Sequence, residues 1–263
     1  MTKKWRYLPL LIVGVCTLLM LMHGTIQQYA DYHVFADTSA YWTIPNALDV
    51  LSNLAFAVIG LLGLFASRAY FHQRSSRRHP KDYAYLCFVL SILATSVGST
   101  FYHLAPDDAR LFWDRLPIAL ACATLIAAVR AECFDQELPA ALRDLIALIA
   151  FATASVLWWQ QSGDLRPYLA LQLMAIILIP LWQGIYAAPK RTRWIYAAAI
   201  ACYVLAKVCE ICDAAILLHT GLLSGHTIKH LLASAAAALI IWHWLHPKFP
   251  SVGRSSSWPS AKI

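Results

Sequence analysis

Eight apolar stretches, at approximately 7–23, 45–71, 84–103, 116–131, 140–160, 167–187, 194–218 and 226–246, are joined by short connections and leave no length for a water-soluble domain. A spanning helix needs about 20 apolar residues, and within lipid it satisfies its backbone hydrogen bonds internally. With 60% hydrophobic residues, 13% charged residues and a mean hydropathy of +0.56, the chain has room for roughly seven to nine spans. The expected fold is all-α: a polytopic membrane helix bundle with a seven-transmembrane-helix core and one additional N-terminal span. The first run follows Lys3, Lys4 and Arg6 as a signal peptide would. It is long for the apolar part of such a signal and lacks a clear small-residue cleavage site, so it reads as a span.

The net charge of +7 and the isoelectric point near 9.1 do not point to nucleic acid, because the basic residues fall between apolar runs, where they orient helices in a bilayer. Assigned to alternate sides, sixteen Lys and Arg fall on one side, among them Arg68, Arg74, Arg77, Arg78, Lys81, Arg130, Arg143, Lys190, Arg191, Arg193, Lys248, Arg254 and Lys262, and only Arg110, Arg115 and Arg166 on the other. Lys207 and Lys229 lie inside spans. This asymmetry predicts both termini in the cytoplasm. Residues 1–29 read as a basic segment with the extra helix, 30–247 as the core, and 248–263, rich in Ser with Gly and Pro, as a disordered cytoplasmic tail. The seven cysteines fall almost wholly within apolar runs; Cys209 and Cys212 form a CxxC placed mid-helix with no second pair, and they read as packing residues.

Ionisable residues within spans are costly and mark function by default. At about 1.5 Å of rise per residue, Asp49, Ser52 and Asn53 of the second stretch, Ser99 and His103 of the third, Asp114 of the fourth, Glu210 and Asp213 of the seventh and His226 and His230 of the eighth share one layer in the outer third of the membrane. Scattered structural residues would not agree in depth. His226 and His230, four apart in SGHTIKH, lie on one helix face, and His103 at matching depth supplies a third ligand, leaving the fourth position of a catalytic zinc to water. Three imidazoles suit zinc better than the oxygen-preferring magnesium or calcium. His243 and His246, three apart at the other end with no carboxylate nearby, read as structural, as do His23, His33, His72, His79 and His219.

Zinc lowers the pKa of a bound water to about 7 and polarises a carbonyl. Asp114 is the expected proton acceptor and donor, with a helix N-cap role as its structural alternative. Ser99, one turn before His103, could stabilise a developing oxyanion or simply pack helices. Lys207, Glu210 and Asp213, three apart on one face, are either outer groups that orient histidine N–H bonds or a self-neutralising ion-pair ladder. Asp49 and Asn53 are expected in the same supporting part.

The runs GSTFYHL (98–104), DRLP (114–117) and GHTIKH (225–230), in that order along the chain, together with IPNALDVLSNLAF (44–56), resemble the alkaline ceramidases, within a superfamily of seven-helix membrane hydrolases that includes adiponectin-receptor-like proteins. The resemblance covers roughly 30–247. It implies zinc on His103, His226 and His230, Ser99 and Asp114 in the site, and hydrolysis of a sphingolipid amide such as ceramide to a fatty acid and a sphingoid base. Eukaryotic members carry an acidic calcium-binding stretch before the first core helix; only Asp31, Asp37 and Asn46 stand in that region here, which speaks against calcium. Compact size and short basic loops suit a bacterial inner membrane, with the site near the periplasmic face. The leading expectation is a zinc-dependent intramembrane amidohydrolase in lipid metabolism. A lipid-binding receptor or sensor with a structural zinc and no turnover is the alternative, followed by a transporter or haem-binding protein.

Overall fold

The computed structural model describes residues 5, 7–74 and 79–246. Lys3, Lys4, Arg6, Arg77, Arg78, Lys248, Arg254, Lys262 and the tail expected at 248–263 lie outside the described residues. In chain order the elements are α1 (Leu8–His23), a hairpin of β1 (Ala40–Tyr41) and β2 (Ile44–Pro45), α2 (Ala47–Ser52), α3 (Leu54–Gln73), α4 (Lys81–Leu104), α5 (Asp108–Cys133), α6 (Leu138–Ser162), α7 (Arg166–Ile185), α8 (Lys190–Ile211), α9 (Asp213–Thr220) and α10 (Gly225–Leu245). Seven helical segments, α2 and α3 counted as one, are long and apolar enough to cross a membrane. The protein is an all-α multi-pass bundle.

Its surface is consistent with that reading. Leu54, Val58, Leu62, Phe65, Val97, Ile146, Leu205 and Ile211 are all largely exposed, an apolar area that would be anomalous facing water and is ordinary facing lipid. The interior is built by α4 lying along α5 and α10 along α8, with α3, α6 and α7 closing the ring. Tyr85, Val89, Leu111, Val129, Val156, Ile179 and Tyr196 are buried there.

The first apolar run does form a helix, but α1 has 16 residues. That is about 24 Å of rise, shorter than a hydrocarbon core of about 30 Å, and it ends where Gly24 takes a positive φ of 79°. It leans on α7 and is tied to the α6–α7 turn by one carboxylate. Asp164 accepts hydrogen bonds from the Ile26 and Arg166 amides (3.2 and 3.1 Å), from the Trp158 indole (3.3 Å) and from the Arg166 guanidinium. Leu165 N–H donates to the Ile26 carbonyl at 2.8 Å. Burial works to raise the Asp164 pKa, but the bonds from Arg166, Ile26 and Trp158 outweigh it and hold the carboxyl well below the usual range. A depressed pKa stabilises the fold fully above the unfolded value near 3.9 and less as pH falls through the folded one. Acidification below about pH 4 is expected to speed hydrogen exchange at the Ile26 amide, with Asp164→Asn reproducing the effect at neutral pH. Unchanged exchange in both would mean that the carboxylate does not hold the joint.

Two expected spans are broken rather than continuous. The second stretch is interrupted at Asn53, where Ser52 Oγ and Asn53 Nδ2 both donate to the Asp49 carbonyl (2.8 and 3.0 Å) and Ser96 Oγ donates to the Asn53 carbonyl (3.1 Å). The seventh is interrupted at Cys212, between α8 and α9, which corrects the mid-helix placement of the CxxC: Cys209 is buried on α8, Cys212 is exposed at the break, and all seven cysteines are free thiols. Side-chain bonds at the first break satisfy backbone groups that an interrupted helix frees inside lipid. Both interruptions lie at the same end of the bundle.

The opposite end is closed by a polar lock. Lys81 pairs with Glu132 at 2.7 Å, the Tyr85 hydroxyl bonds both Glu132 (3.2 Å) and Tyr196 (2.5 Å), and Asp82 accepts from the Trp244 indole (2.9 Å) and the Tyr70 hydroxyl (3.1 Å).

Candidate metal centre

At the broken end, His226 and His230 project from the first two turns of α10, and His103 projects from the last turn of α4. Their rings are 4.7 to 5.0 Å apart centre to centre, and each residue offers a nitrogen within 4.8 Å of the other two. His103 Nε2 stands 3.1 Å from His226 Nε2. Two nitrogens bound to one tetrahedral zinc at 2.0–2.1 Å are about 3.3 to 3.4 Å apart, close to the spacing of this pair. The three side chains are 0 to 5% exposed. An apolar wall faces them, with the Phe35 ring 4.6 and 4.7 Å from the His103 and His226 rings.

Two glycines make this approach possible. A Cβ on Gly98 would lie 1.9 Å from the Trp113 carbonyl oxygen, so only glycine lets α4 and α5 touch one residue before Ser99 and one before Asp114. On Gly225 it would lie 2.1 Å from the Cys209 carbonyl oxygen, so glycine brings the start of α10 against the end of α8. Both glycines are direct neighbours of site residues in sequence.

The start of α10 is held by carboxylates, as the positive end of a helix dipole favours. Ser224 caps the helix by accepting from the Thr227 amide at 2.8 Å; Asp49 Oδ1 accepts from the Ser224 and Thr227 hydroxyls (2.8 and 2.6 Å). Asp213 Oδ1 accepts from the His226 amide (2.8 Å) and its Oδ2 from the Ala36 amide (2.9 Å). Asp37 in turn caps α2, accepting from the Leu48 and Asp49 amides.

His230 Nδ1 lies 2.7 Å from Ser52 Oγ, whose single proton is directed to the Asp49 carbonyl at 2.8 Å. The serine must then accept from His230 Nδ1–H, which leaves the Nε2 lone pair facing the other two histidines. A second partner that fixes the tautomer of a ligating histidine typically governs metal affinity by 10- to 100-fold. Ser52→Ala is expected to weaken zinc binding by about that factor, read by competition with a chromogenic chelator; wild-type affinity would remove Ser52 from this part.

Asp114 is buried on α5 with Oδ1 unpartnered, and the Ser99 hydroxyl lies within hydrogen-bonding reach of its carboxylate. The N-cap of α5 is Asp107, which accepts from the Arg110 amide at 2.7 Å, so Asp114 does not serve as that cap. Ser99 and Asp114 line a cavity together with His230, Lys229, Glu210 and Lys207. The cavity, of about 170 Å³, runs between apolar walls of Phe88, Ile92, Leu125, Ile179 and Ile240 to Tyr196. From His230 to Ile240 along α10 it descends about 15 Å, and from Glu210 to Tyr196 along α8 about 21 Å.

The residues expected to orient imidazole N–H groups make other bonds. Glu210 accepts from Lys207 (2.8 Å) and from Lys229 (3.0 Å). Asp213 and Asp49 brace the backbone and hydroxyls of α10, and Asn53 donates within its own broken helix. Two contributors to the layer were given no role from sequence. Ser52 carries no signal beyond its polarity. Lys229, inside GHTIKH, places Nζ 2.6 Å from His226 Nε2, and the rarity of lysine inside a span could have flagged it. His33, read as structural, bonds the Tyr102 hydroxyl at 2.9 Å and Asp108 at 3.1 Å. His243 and His246 lie on the last turn of α10 and just after it, at the other end of the bundle from the triad.

Compared with models of known protein families and with curated proteins, the chain matches none. The site must be read from its own geometry.

Proposed function

We propose that the protein is a zinc-dependent intramembrane hydrolase that cleaves an amide in a membrane lipid, ceramide or a ceramide-like molecule, to a fatty acid and an amine. The observation that carries this reading is the convergence of three buried imidazoles from two helices, beside an unpartnered carboxylate at the head of a long apolar cavity. A structural zinc would need the histidines alone. The carboxylate, the hydroxyl of Ser99 and the cavity have no part in that simpler role.

Zinc, when bound by His103, His226 and His230, supplies Lewis acidity and lowers the pKa of water. The chain's own residues do the rest. The apolar walls hold the acyl chain and keep water from it. Asp114 accepts a proton from the attacking water and returns it to the departing amine nitrogen, one carboxylate serving both transfers. Ser99 holds the Asp114 carboxylate and, with the Lys229 ammonium anchored by Glu210, faces the carbonyl oxygen as negative charge develops on it. The resemblance to alkaline ceramidases supports the reaction class. The basic residues at the end opposite the site, Arg68, Arg74, Lys81, Arg130, Lys190 and Arg191 among them, support that end of the bundle in the cytoplasm and a site near the outer, periplasmic face of a bacterial inner membrane.

Purified protein in detergent is expected to release fatty acid from a fluorescent ceramide, to stop on treatment with a chelator and to recover on addition of zinc. Zinc content without release from any lipid amide would favour the receptor reading instead.

A further inference from the structure

Arg115 was counted with the topology charges at the outer ends of the spans, yet its side chain is 3% exposed. Its Nη1 has no hydrogen-bond partner. The guanidinium carbon lies among aromatic rings, 3.9 Å from the centre of Trp159, 4.9 Å from Tyr32 and 5.6 Å from Tyr168. Cation–π contact offsets part of the burial cost but gives Nη1 no hydrogen-bond acceptor.

A second unpartnered donor lines the same cavity. Gln172, one turn beyond Tyr168 on α7, is buried with its Oε1 taken by the Tyr203 hydroxyl and its Nε2 unpartnered. Arg115 and Gln172 line the cavity that Asp114 and His230 also line. Asp114 is turned toward Ser99 on α4, while Arg115, about 100° further round α5, faces α6 and α7. Two buried side chains with unpartnered donors in one cavity call for a ligand rich in acceptors, because a buried unpaired donor costs more than a satisfied one contributes. The planar fork of Arg fits a carboxylate or a phosphate in two parallel bonds.

We propose that Arg115 and Gln172 form a subsite for an anionic group on the amine half of the lipid, so that the preferred amide carries a carboxylate or phosphate beside the bond to be cut. This rests on the hydrolase reading and narrows it from neutral ceramide to acidic lipid amides. The polar half belongs at this end because the apolar descent toward Ile179 and Ile240 is where an acyl chain fits.

The test uses zinc-loaded full-length protein and three amides of one fatty acid: with ethanolamine, with glycine, and with phosphoethanolamine. Hydrolysis and equilibrium binding are measured for each. The expected result is kcat/KM and affinity about 10- to 100-fold higher for one or both acidic amides than for the ethanolamide. Which acidic amide leads separates a carboxylate from a phosphate. Arg115→Met should erase the preference by raising KM for the acidic amides alone, with Arg115→Lys retaining part of it. The wild-type comparison stands even if a variant fails to fold. Hydrolysis of all three amides without preference would overturn the subsite and leave the hydrolase standing. Arg115-dependent binding of the acidic amides without any hydrolysis would overturn the hydrolase and leave the subsite.

Discussion

Asp114→Ala is expected to lower amide hydrolysis by 10³-fold or more while leaving zinc content unchanged, since a positioned acid–base group contributes about 10² to 10⁴ and here one carboxylate serves both transfers. The two readouts separate because Asp114 is not among the grouped metal ligands. It is packed where α4 and α5 meet over Gly98, with Oδ1 free of other partners. Asp114→Asn keeps the shape and should lose nearly as much activity, which distinguishes proton transfer from packing. Ser99→Ala, which removes a hydroxyl beside that carboxylate, should fall between wild type and Asp114→Asn. Full activity in Asp114→Asn would leave the layer without its proposed base and move the account toward a non-catalytic lipid receptor.

Much of this was legible in the chain. Hydropathy located the seven crossing segments because bilayer thickness sets a length that no loop imitates. The histidines were legible because i and i+4 on a helix share a face, and because His103 and the α10 pair come to equal depth when helices run antiparallel. The helix breaks at Asn53 and Cys212 were not legible, since apolar content is continuous across both and hydropathy does not register backbone geometry. The partners of the polar groups were hidden for another reason. Depth says which residues share a layer, but rotation about each helix decides which of them touch. Thus Glu210 meets Lys229 rather than an imidazole, Ser52 rather than a carboxylate holds His230, and Arg115 turns inward among Trp159, Tyr32 and Tyr168 rather than outward as a surface charge. Gly98 and Gly225 carried a signal that only packing explains: each precedes a site residue, and each admits a neighbouring backbone where a methyl group would not fit.

The His226→Ala, His230→Ala double variant bears on the metal itself. Two of three ligands are removed from one helix while Asp49, Ser224 and Asp213 still fix its N-terminus through Thr227 and backbone groups, so the bundle should persist. Loss of two imidazoles leaves His103 alone, and a single nitrogen does not hold zinc. Zinc measured by inductively coupled plasma mass spectrometry on purified, chelator-washed protein is expected at about one ion per chain in the wild type and in His243→Ala, and near zero in the double variant. Equal zinc in the wild type and the double variant, or none in either after growth with added zinc, would contradict the metal centre.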